Sequence, residues 1–158
     1  MLNLIFTVIS WTLVLILIPF LRLRTTWLVG VISPILLFII DFTFVKLGYY
    51  QFPNKLVDVF GIPLFYLLGG SAGGILFTNW LPRKPLLKII SVLGFSGLLL
   101  VTERVFYNFG AFKYLYFTPL LSYTLNVAGL SILTLLALGT IGEEKIYNGP
   151  KSRFGFLK

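Results

Sequence analysis

Residues 26–45 read TWLVGVISPILLFIIDFTFV, a stretch of 20 residues with one acid, Asp41, and no basic residue. A helix needs about 20 mostly apolar residues to cross the hydrocarbon core of a bilayer. Pro34 is compatible with such a helix, because membrane helices tolerate proline where neighbouring helices satisfy the freed carbonyl. The stretch therefore predicts a transmembrane helix.

Four further apolar runs of similar length occupy most of the remaining chain. Hydrophobic residues make up 58% of the 158 residues and charged residues only 11%, which is too little polar surface for a soluble domain of this size. We expect an all-α membrane protein, a bundle of five transmembrane helices. The predicted spans are about 2–21, 26–45, 57–81, 86–106 and 118–141, followed by a basic tail at 142–158.

Lysine and arginine set the predicted orientation. Five crossings place the first loop, the third loop and the tail on one side, with nine basic residues, and leave four on the other side. Cytoplasmic loops of membrane proteins carry the excess of basic residues. We therefore expect a multi-pass protein of the cell membrane, such as a bacterial plasma membrane, with the N-terminus outside and the C-terminus in the cytoplasm.

The residue types that are missing limit the chemistry. The sequence has no cysteine and no histidine, which excludes thiol nucleophiles, haem attachment and the usual zinc or copper ligand sets. We expect no metal and no cofactor. The net charge of +8 comes from residues beside apolar runs, where they anchor helices and contact anionic lipid head groups. Membrane lipids are therefore expected partners, and nucleic acid is not.

Ionisable residues within the predicted spans are candidates for function, because charges are costly there. Asp41, Glu103 and Arg104 are of this kind. Measured along its helix from the inner side, Asp41 lies at about 22 Å and Glu103 at about 25 Å. The two carboxyl groups should therefore reach a similar depth in the outer half, and Asp58 and Asn126 would approach the same level.

This placement predicts a polar pocket open towards the outer leaflet, with Asp41 and Glu103 as candidate catalytic acids and Arg104 as their partner or as an anion clamp. The alternative is a structural Asp41–Arg104 pair, or residues that lie at the interface. Glu103 and Arg104 point about 100° apart, so one should face the interior while the other snorkels. The predicted pocket residues are Asp41, Tyr49, Tyr50, Glu103, Arg104 and Asn126. The two outer breaks, 46–55 and 107–117, are rich in aromatic residues, which predict a lid over this pocket or an interfacial belt.

A cluster of small residues lies in the middle of the predicted span 57–81. Gly69 with Gly73 and Gly70 with Gly74 form two overlapping G-x-x-x-G pairs, which allow another backbone to approach closely. The cluster predicts tight packing within the five-helix bundle. The alternatives are the interface of a homo- or hetero-oligomer, or a groove that admits a flat ligand.

The region around the second and third spans resembles the repeat of lycopene cyclase-domain proteins. The resemblance rests on Asp41, Gly48-Tyr49-Tyr50, Phe52-Pro53 and Gly61-Ile62-Pro63-Leu64, about a quarter of the chain. It implies an acid late in one helix, a Gly-aromatic turn, and a proline that opens the next helix. That family follows the proline with an acidic pair, whereas Leu64, Phe65 and Tyr66 stand here. If the pair carries the proton chemistry of the cyclase, this chain lacks it.

A second resemblance covers more of the chain. The length, the five spans, Asp41, the segment 50–53, Pro63 and Glu103 before an aromatic turn are similar to a family of small five-pass membrane proteins. These proteins are found mainly in Gram-positive bacteria and their function is uncharacterised. The resemblance implies a topology and no mechanism.

The leading functional expectation is an integral membrane protein without an evident catalytic motif. It would bind a lipid-like or isoprenoid ligand, or serve as a small subunit of a membrane assembly. The alternative is a membrane enzyme of isoprenoid, carotenoid or lipid metabolism, with Asp41 and Glu103 as acid and base of unlike pKa. The third is a small ion-coupled transporter, ranked last because five is an odd number of spans and no sequence repeat is convincing.

Overall fold

The computed structural model describes residues 1–148, so the predicted basic tail is described only as far as Asn148. This part of the chain is mostly helical. The helices are α1 (Leu2–Leu17), α2 (Phe20–Lys46), α3 (Leu64–Asn79), α4 (Pro85–Asn108), α5 (Pro119–Ile141) and α6 (Glu143–Tyr147). The strands are β1 (Tyr50–Gln51), β2 (Asp58–Val59), β3 (Ile62–Pro63) and β4 (Lys113–Tyr114).

Three of the helices are long and apolar enough to cross a membrane. These are α2 with 27 residues, α4 with 24 and α5 with 23. Helices α1 and α3 have 16 residues each, which at 1.5 Å per residue is about 24 Å and shorter than a hydrocarbon core of about 30 Å. The three long apolar helices indicate a membrane protein.

The boundary between the first two helices differs from the prediction. Helix α1 ends at Leu17 rather than at 21, and α2 begins at Phe20 rather than at 26. Pro19 causes the break, because the residue before a proline is held extended, and Ile18 has φ −98° and ψ 127°. Arg22 therefore lies in the first turn of α2, not in a loop.

The third helix is also shorter than predicted. The span was expected over 57–81, but residues 58–63 form the antiparallel pair β2–β3 and α3 begins only at Leu64. Phe60 and Gly61 turn the chain with positive φ values of 54° and 96°. Pro63 then precedes α3, where its missing N–H costs no helical hydrogen bond. Helices α4 and α5 agree with the predicted spans 86–106 and 118–141 to within two residues.

Helices α2 and α4 are followed by the same series of local features. Asp41 and Glu103 each precede, by seven residues, a glycine of positive φ, Gly48 at 76° and Gly110 at 69°. Such glycines end helices in the left-handed conformation. Strands β1 and β4 come next and pair antiparallel. The units α2–α3 and α4–α5 thus form a repeat that the sequence analysis did not recognise, because the repeated residue types differ.

The glycine cluster of α3 serves packing within the chain. Helix α3 packs mainly against α1 and α2, while α4 packs against α5. A side chain from a neighbouring helix occupies the space beside three of the four glycines: Phe6 beside Gly69, Leu37 beside Gly70 and Ser33 beside Gly74. Within residues 1–148, no atom lies within 4 Å of a Cβ placed on Gly73. An oligomer interface on this cluster stays a prediction.

Hydrogen bonds between distant segments define the two ends of the bundle. One end, here called the aromatic end, contains the loops that follow α2 and α4. There, Asn54 Nδ2 donates to the Gly110 carbonyl at 2.9 Å and Asn3 Nδ2 donates to the Asn54 carbonyl at 3.4 Å. At the opposite end, here the Arg22 end, Arg22 Nε donates to Asn79 Oδ1 at 3.0 Å. The rest of the Arg22 guanidinium donates to the backbone carbonyls of Lys145, Ile146 and Asn148.

Candidate acid–tyrosine site

Asp41 lies in the last turns of α2, near the aromatic end, and its side chain is only 5% exposed. The Tyr50 hydroxyl donates a hydrogen bond to Asp41 Oδ1. Within the described residues, Asp41 Oδ2 is buried and has no hydrogen-bond partner. A buried polar atom without a partner is costly. Oδ2 is therefore a place where a bound molecule would gain a hydrogen bond.

Tyr50 is held in position by a cage of aromatic rings. Its ring is buried and lies 5.9 Å from Phe52, 5.0 Å from Phe112 and 5.4 Å from Phe117, measured between ring centroids. Burial raises the pKa of Tyr50 well above the ordinary phenol value, and the neighbouring Asp41 carboxylate raises it further. Tyr50 therefore keeps its proton at neutral pH and acts as a hydrogen-bond donor.

Glu103 forms the second carboxyl–tyrosine unit of the site. The Tyr114 hydroxyl donates to Glu103 Oε1 and the Ser122 hydroxyl donates to Oε2, so both oxygens are bonded. Glu103 is partly exposed, unlike Asp41. Burial and the hydrogen bond to Glu103 raise the pKa of Tyr114, so this phenol also stays protonated at neutral pH.

The two units meet across the strand pair β1–β4. Tyr50 stands directly opposite Tyr114 in the register, and the ring of Phe112 lies 5.0 Å from each of them. Asp41 and Glu103 are close enough for their charges to interact. The structure thus brings together two acids that the sequence analysis placed at the same depth, through tyrosines that follow each helix.

The site includes residues that the sequence analysis missed. Tyr114 and Ser122 bind Glu103, and Tyr66 of α3 is close enough to both acids to interact with their charges. The signal that would have found Tyr114 is the repeated order of acid, left-handed glycine and tyrosine. Tyr66 and Ser122 carry no comparable signal, because an isolated hydroxyl in an apolar helix is common.

Arg104 lies at the outer edge of this cluster, beside Tyr114. It is exposed, and its guanidinium carbon stands over the rings of Tyr107 at 5.9 Å and Tyr114 at 5.8 Å. Within residues 1–148, Arg104 forms no ion pair with Asp41. The expected division on α4 is therefore observed: Glu103 faces the interior and Arg104 faces outwards.

Asp58 also stands apart from the acid–tyrosine site. It is exposed in the β2–β3 turn, where it pairs with Lys55 at 3.0 Å and accepts from the Gly61 N–H at 2.6 Å. The side-chain hydrogen bond from Lys55 lowers the pKa of Asp58. Asp58 therefore stabilises its own loop and does not reach the level of Asp41.

Two further predicted pocket residues lie on α5 and in the loop that follows α2. Asn126 is one turn from Ser122 on α5, and its Nδ2 is buried without a hydrogen-bond partner in the described part of the chain. Tyr49 packs its ring against Phe44 and Phe117 at 5.5 and 5.8 Å. Its carbonyl accepts from the backbone N–H groups of residues 115–117, so Tyr49 ties the two aromatic loops together.

The aromatic residues of the two breaks are divided between a packed core and an exposed rim. The buried members are Tyr50, Phe52, Phe112 and Phe117, and they pack with the buried Phe106 of α4. Phe109 and Tyr116, at 72% and 81% exposed, have the placement of interfacial belt residues. A separate apolar cleft of about 550 Å³ opens between the start of α1 and residues 54–56, 109 and 111, away from both acids.

Comparison with known proteins gives no relative: no protein-family model, no curated protein and no solved structure matches the chain. The two resemblances therefore stay predictions from the residues quoted for them. The functional argument rests on the acid–tyrosine site and its surroundings.

Proposed function

We propose that this chain is an integral membrane protein that binds a lipid-like or isoprenoid molecule at the acid–tyrosine site. The observation that carries the proposal is Asp41 Oδ2, an atom buried among aromatic rings without a hydrogen-bond partner in the described residues. An unsatisfied buried polar group costs about 1–3 kcal/mol. A mostly apolar ligand with one hydroxyl or carbonyl group would supply the missing bond and enter without a large desolvation cost.

We also propose five crossings of the cell membrane, with the aromatic end outside. In support, the helices α1 to α5 run alternately between the two ends that the Asn54 and Arg22 hydrogen bonds define. The short α1 and α3 pack against each other through Val14, Ala72 and Ile75. The Arg22 end also carries a larger share of the basic residues, as expected of a cytoplasmic side.

A second candidate function is catalysis on an isoprenoid or lipid by the same residues. The observation that favours it is the unlike environment of the two acids. Asp41 is buried with one oxygen unbonded, whereas Glu103 is partly exposed with both oxygens bonded. A proton donor and a proton acceptor require such a difference. In this case Asp41 and Glu103 would exchange protons with the bound ligand.

Native mass spectrometry with lipid extraction tests the proposed function on protein purified gently from its own membrane. The wild-type chain is expected to carry one specific lipid-like molecule. Asp41→Asn and Tyr50→Phe are expected to lose it, because each changes the hydrogen bonding at Oδ1 or Oδ2. The matched control is Asp58→Asn, which alters an exposed acid in the β2–β3 turn and should retain the molecule.

Four other results decide between the alternatives. A wild-type chain that carries no lipid would contradict the binding proposal. A stoichiometric protein partner instead of a lipid would also contradict it and would favour a subunit of a membrane assembly. A ligand whose extracted form differs chemically between the wild type and Glu103→Gln would favour the enzyme. A ligand retained by both Asp41→Asn and Tyr50→Phe would place the binding site elsewhere.

A further inference from the structure

Helices α3 and α4 contact each other through aromatic rings at two levels. Tyr66 lies against Phe106 with ring centroids 6.2 Å apart, and Phe77 lies against Phe95 at 5.1 Å. On each helix the two aromatic residues are 11 positions apart, close to three full turns of a helix. All four rings therefore lie on the facing sides of an antiparallel helix pair.

Gly73 lies between these two contacts on the same side of α3. It follows Tyr66 by seven residues and precedes Phe77 by four, and the antiparallel register places it opposite Leu99 of α4. No atom of the described residues lies within 4 Å of a Cβ placed on Gly73. There is thus open space beside Gly73, between two ring contacts that are about 16 Å apart along the helix at 1.5 Å per residue. We call it the α3–α4 slot.

Three buried polar atoms on α4 and on the neighbouring helices α2 and α5 have no hydrogen-bond partner among the described residues. Ser96 of α4 is completely buried, and its Oγ has no hydrogen-bond partner among the described residues. It lies two turns from Glu103 on the same side of α4, the side that also bears the buried Phe106. Asp41 Oδ2 and Asn126 Nδ2 are unpartnered nearer the aromatic end. A packed helix interface normally leaves no such set of atoms unsatisfied.

We propose that the α3–α4 slot holds one acyl chain of a membrane lipid, with the polar end of that lipid at Asp41 and Asn126. The inference rests on the proposed function and adds where the apolar part of the ligand lies. No charged residue occurs in 67–76 or in 96–102, so the walls suit an uncharged chain. Gly73 and Leu99 are both partly exposed, so the slot is open on its side. In a bilayer, acyl chains are the molecules beside such an opening.

Photocrosslinking tests the slot directly. The protein is reconstituted into phosphatidylcholine vesicles that contain a phosphatidylcholine with a diazirine in its acyl chain, and labelled peptides are mapped by mass spectrometry. We expect labels on residues 67–76 and 96–105. Gly73→Leu should reduce them at least about fivefold, which corresponds to roughly 1 kcal/mol of lost binding. Gly94→Leu is the matched control, because Gly94 is exposed on α4 and also has open space around it.

Unchanged labelling of the slot peptides in Gly73→Leu, or labels confined to the exposed side of α4, would overturn the inference. If Gly73→Leu fails to fold, Gly73→Ala and Leu99→Trp narrow the same slot from its two walls. An extracted isoprenoid that Gly73→Leu displaces would overturn the acyl-chain assignment. Asp41→Asn separates the two proposals. If this variant retains the specific ligand and its slot is still labelled, the polar end does not lie at Asp41, which contradicts the proposed function, whereas the acyl chain in the slot is supported.

Discussion

Replacing Tyr50 by phenylalanine isolates the hydrogen bond that holds Asp41. Phenylalanine keeps the buried ring and its contacts with Phe52, Phe112 and Phe117, so the change removes one hydroxyl and little packing. Asp41 would then have neither carboxyl oxygen bonded within the described residues. A buried polar group left unsatisfied costs about 1–3 kcal/mol, and this is the expected loss in the free energy of unfolding.

Tyr114→Phe is the matched control for this substitution. It removes the equivalent hydroxyl from Glu103, but Ser122 still donates to Glu103 and the carboxyl is partly exposed to its surroundings. The expected loss is therefore the ordinary net value of one hydrogen bond, about 0.5–1.5 kcal/mol. Reversible unfolding in mixed micelles of increasing SDS content measures both values on protein stripped of lipid.

A second substitution should restore part of the free energy of unfolding that Tyr50→Phe loses. In the double variant Asp41→Leu with Tyr50→Phe, both members of the pair become apolar, and such replacements are close to neutral. The double variant should therefore be more stable than Tyr50→Phe alone. A Tyr50→Phe protein that is as stable as Tyr114→Phe, or a double variant less stable than Tyr50→Phe, would refute the claim that Asp41 depends on Tyr50.

Three further predictions concern packing, pH and the Arg22 end. Gly74→Ala should lower the free energy of unfolding by about 1–3 kcal/mol, since the new methyl group would overlap Ser33. Gly94→Ala is the control, because Gly94 has open space around it and the new methyl group should cause no overlap. SDS titration measures the free energy of unfolding of both variants. Because burial raises the pKa of Tyr50, the unfolded chain releases the phenol proton first as pH rises above about 10, so stability should fall there and Tyr50→Phe should show a shallower fall. Arg22→Lys loses the guanidinium fork that donates to three backbone carbonyls near the end of α6. Because α6 is then less firmly held, limited proteolysis after Ile141 should become faster. An unchanged rate of cleavage would show that these hydrogen bonds do not hold α6.

The length and composition of the apolar runs were enough to predict the five main helices but not all of their ends. Helices α4 and α5 agree with the predicted spans closely, because each begins at a proline within one residue of the predicted start. The start of α2 was wrong because Arg22 and Arg24 indicated a loop, whereas the true break is at Pro19. Arg22 lies inside the helix because its charge is satisfied by carbonyls more than 120 residues away in sequence.

The candidate site was predictable to the extent that it depends on depth along a helix. Asp41 and Glu103 were placed at the same level by counting residues, and the structure brings them within range of each other's charge. The hydrogen-bond partners were not predictable in this way. Tyr114 reaches Glu103 from strand β4, and the pairing of β1 with β4, which has two residues in each strand, leaves no recognisable pattern in the sequence.

The packing around the glycines of α3 depends on contacts between helices far apart in the chain. The sequence identified the four glycines but gave no means to decide which of them would have a side chain of another helix packed against it. Phe6, Leu37 and Ser33 occupy three of the positions, and no atom of the described residues lies within 4 Å of a Cβ placed on the fourth, Gly73. The distribution follows from the helix arrangement, which a single sequence does not specify.

Difference infrared spectroscopy of the Asp41 carboxyl group shows whether the ligand binds at Asp41, because it observes the group to which the ligand is proposed to bind. Spectra are recorded for protein with its co-purified lipid and for protein stripped of lipid, and the Asp41→Asn variant identifies the Asp41 band. We expect the Asp41 band to shift when lipid is removed, while the corresponding Asp58 band, identified with Asp58→Asn, stays unchanged. An Asp41 band that is identical in the loaded and stripped protein would show that the ligand does not bind at Asp41.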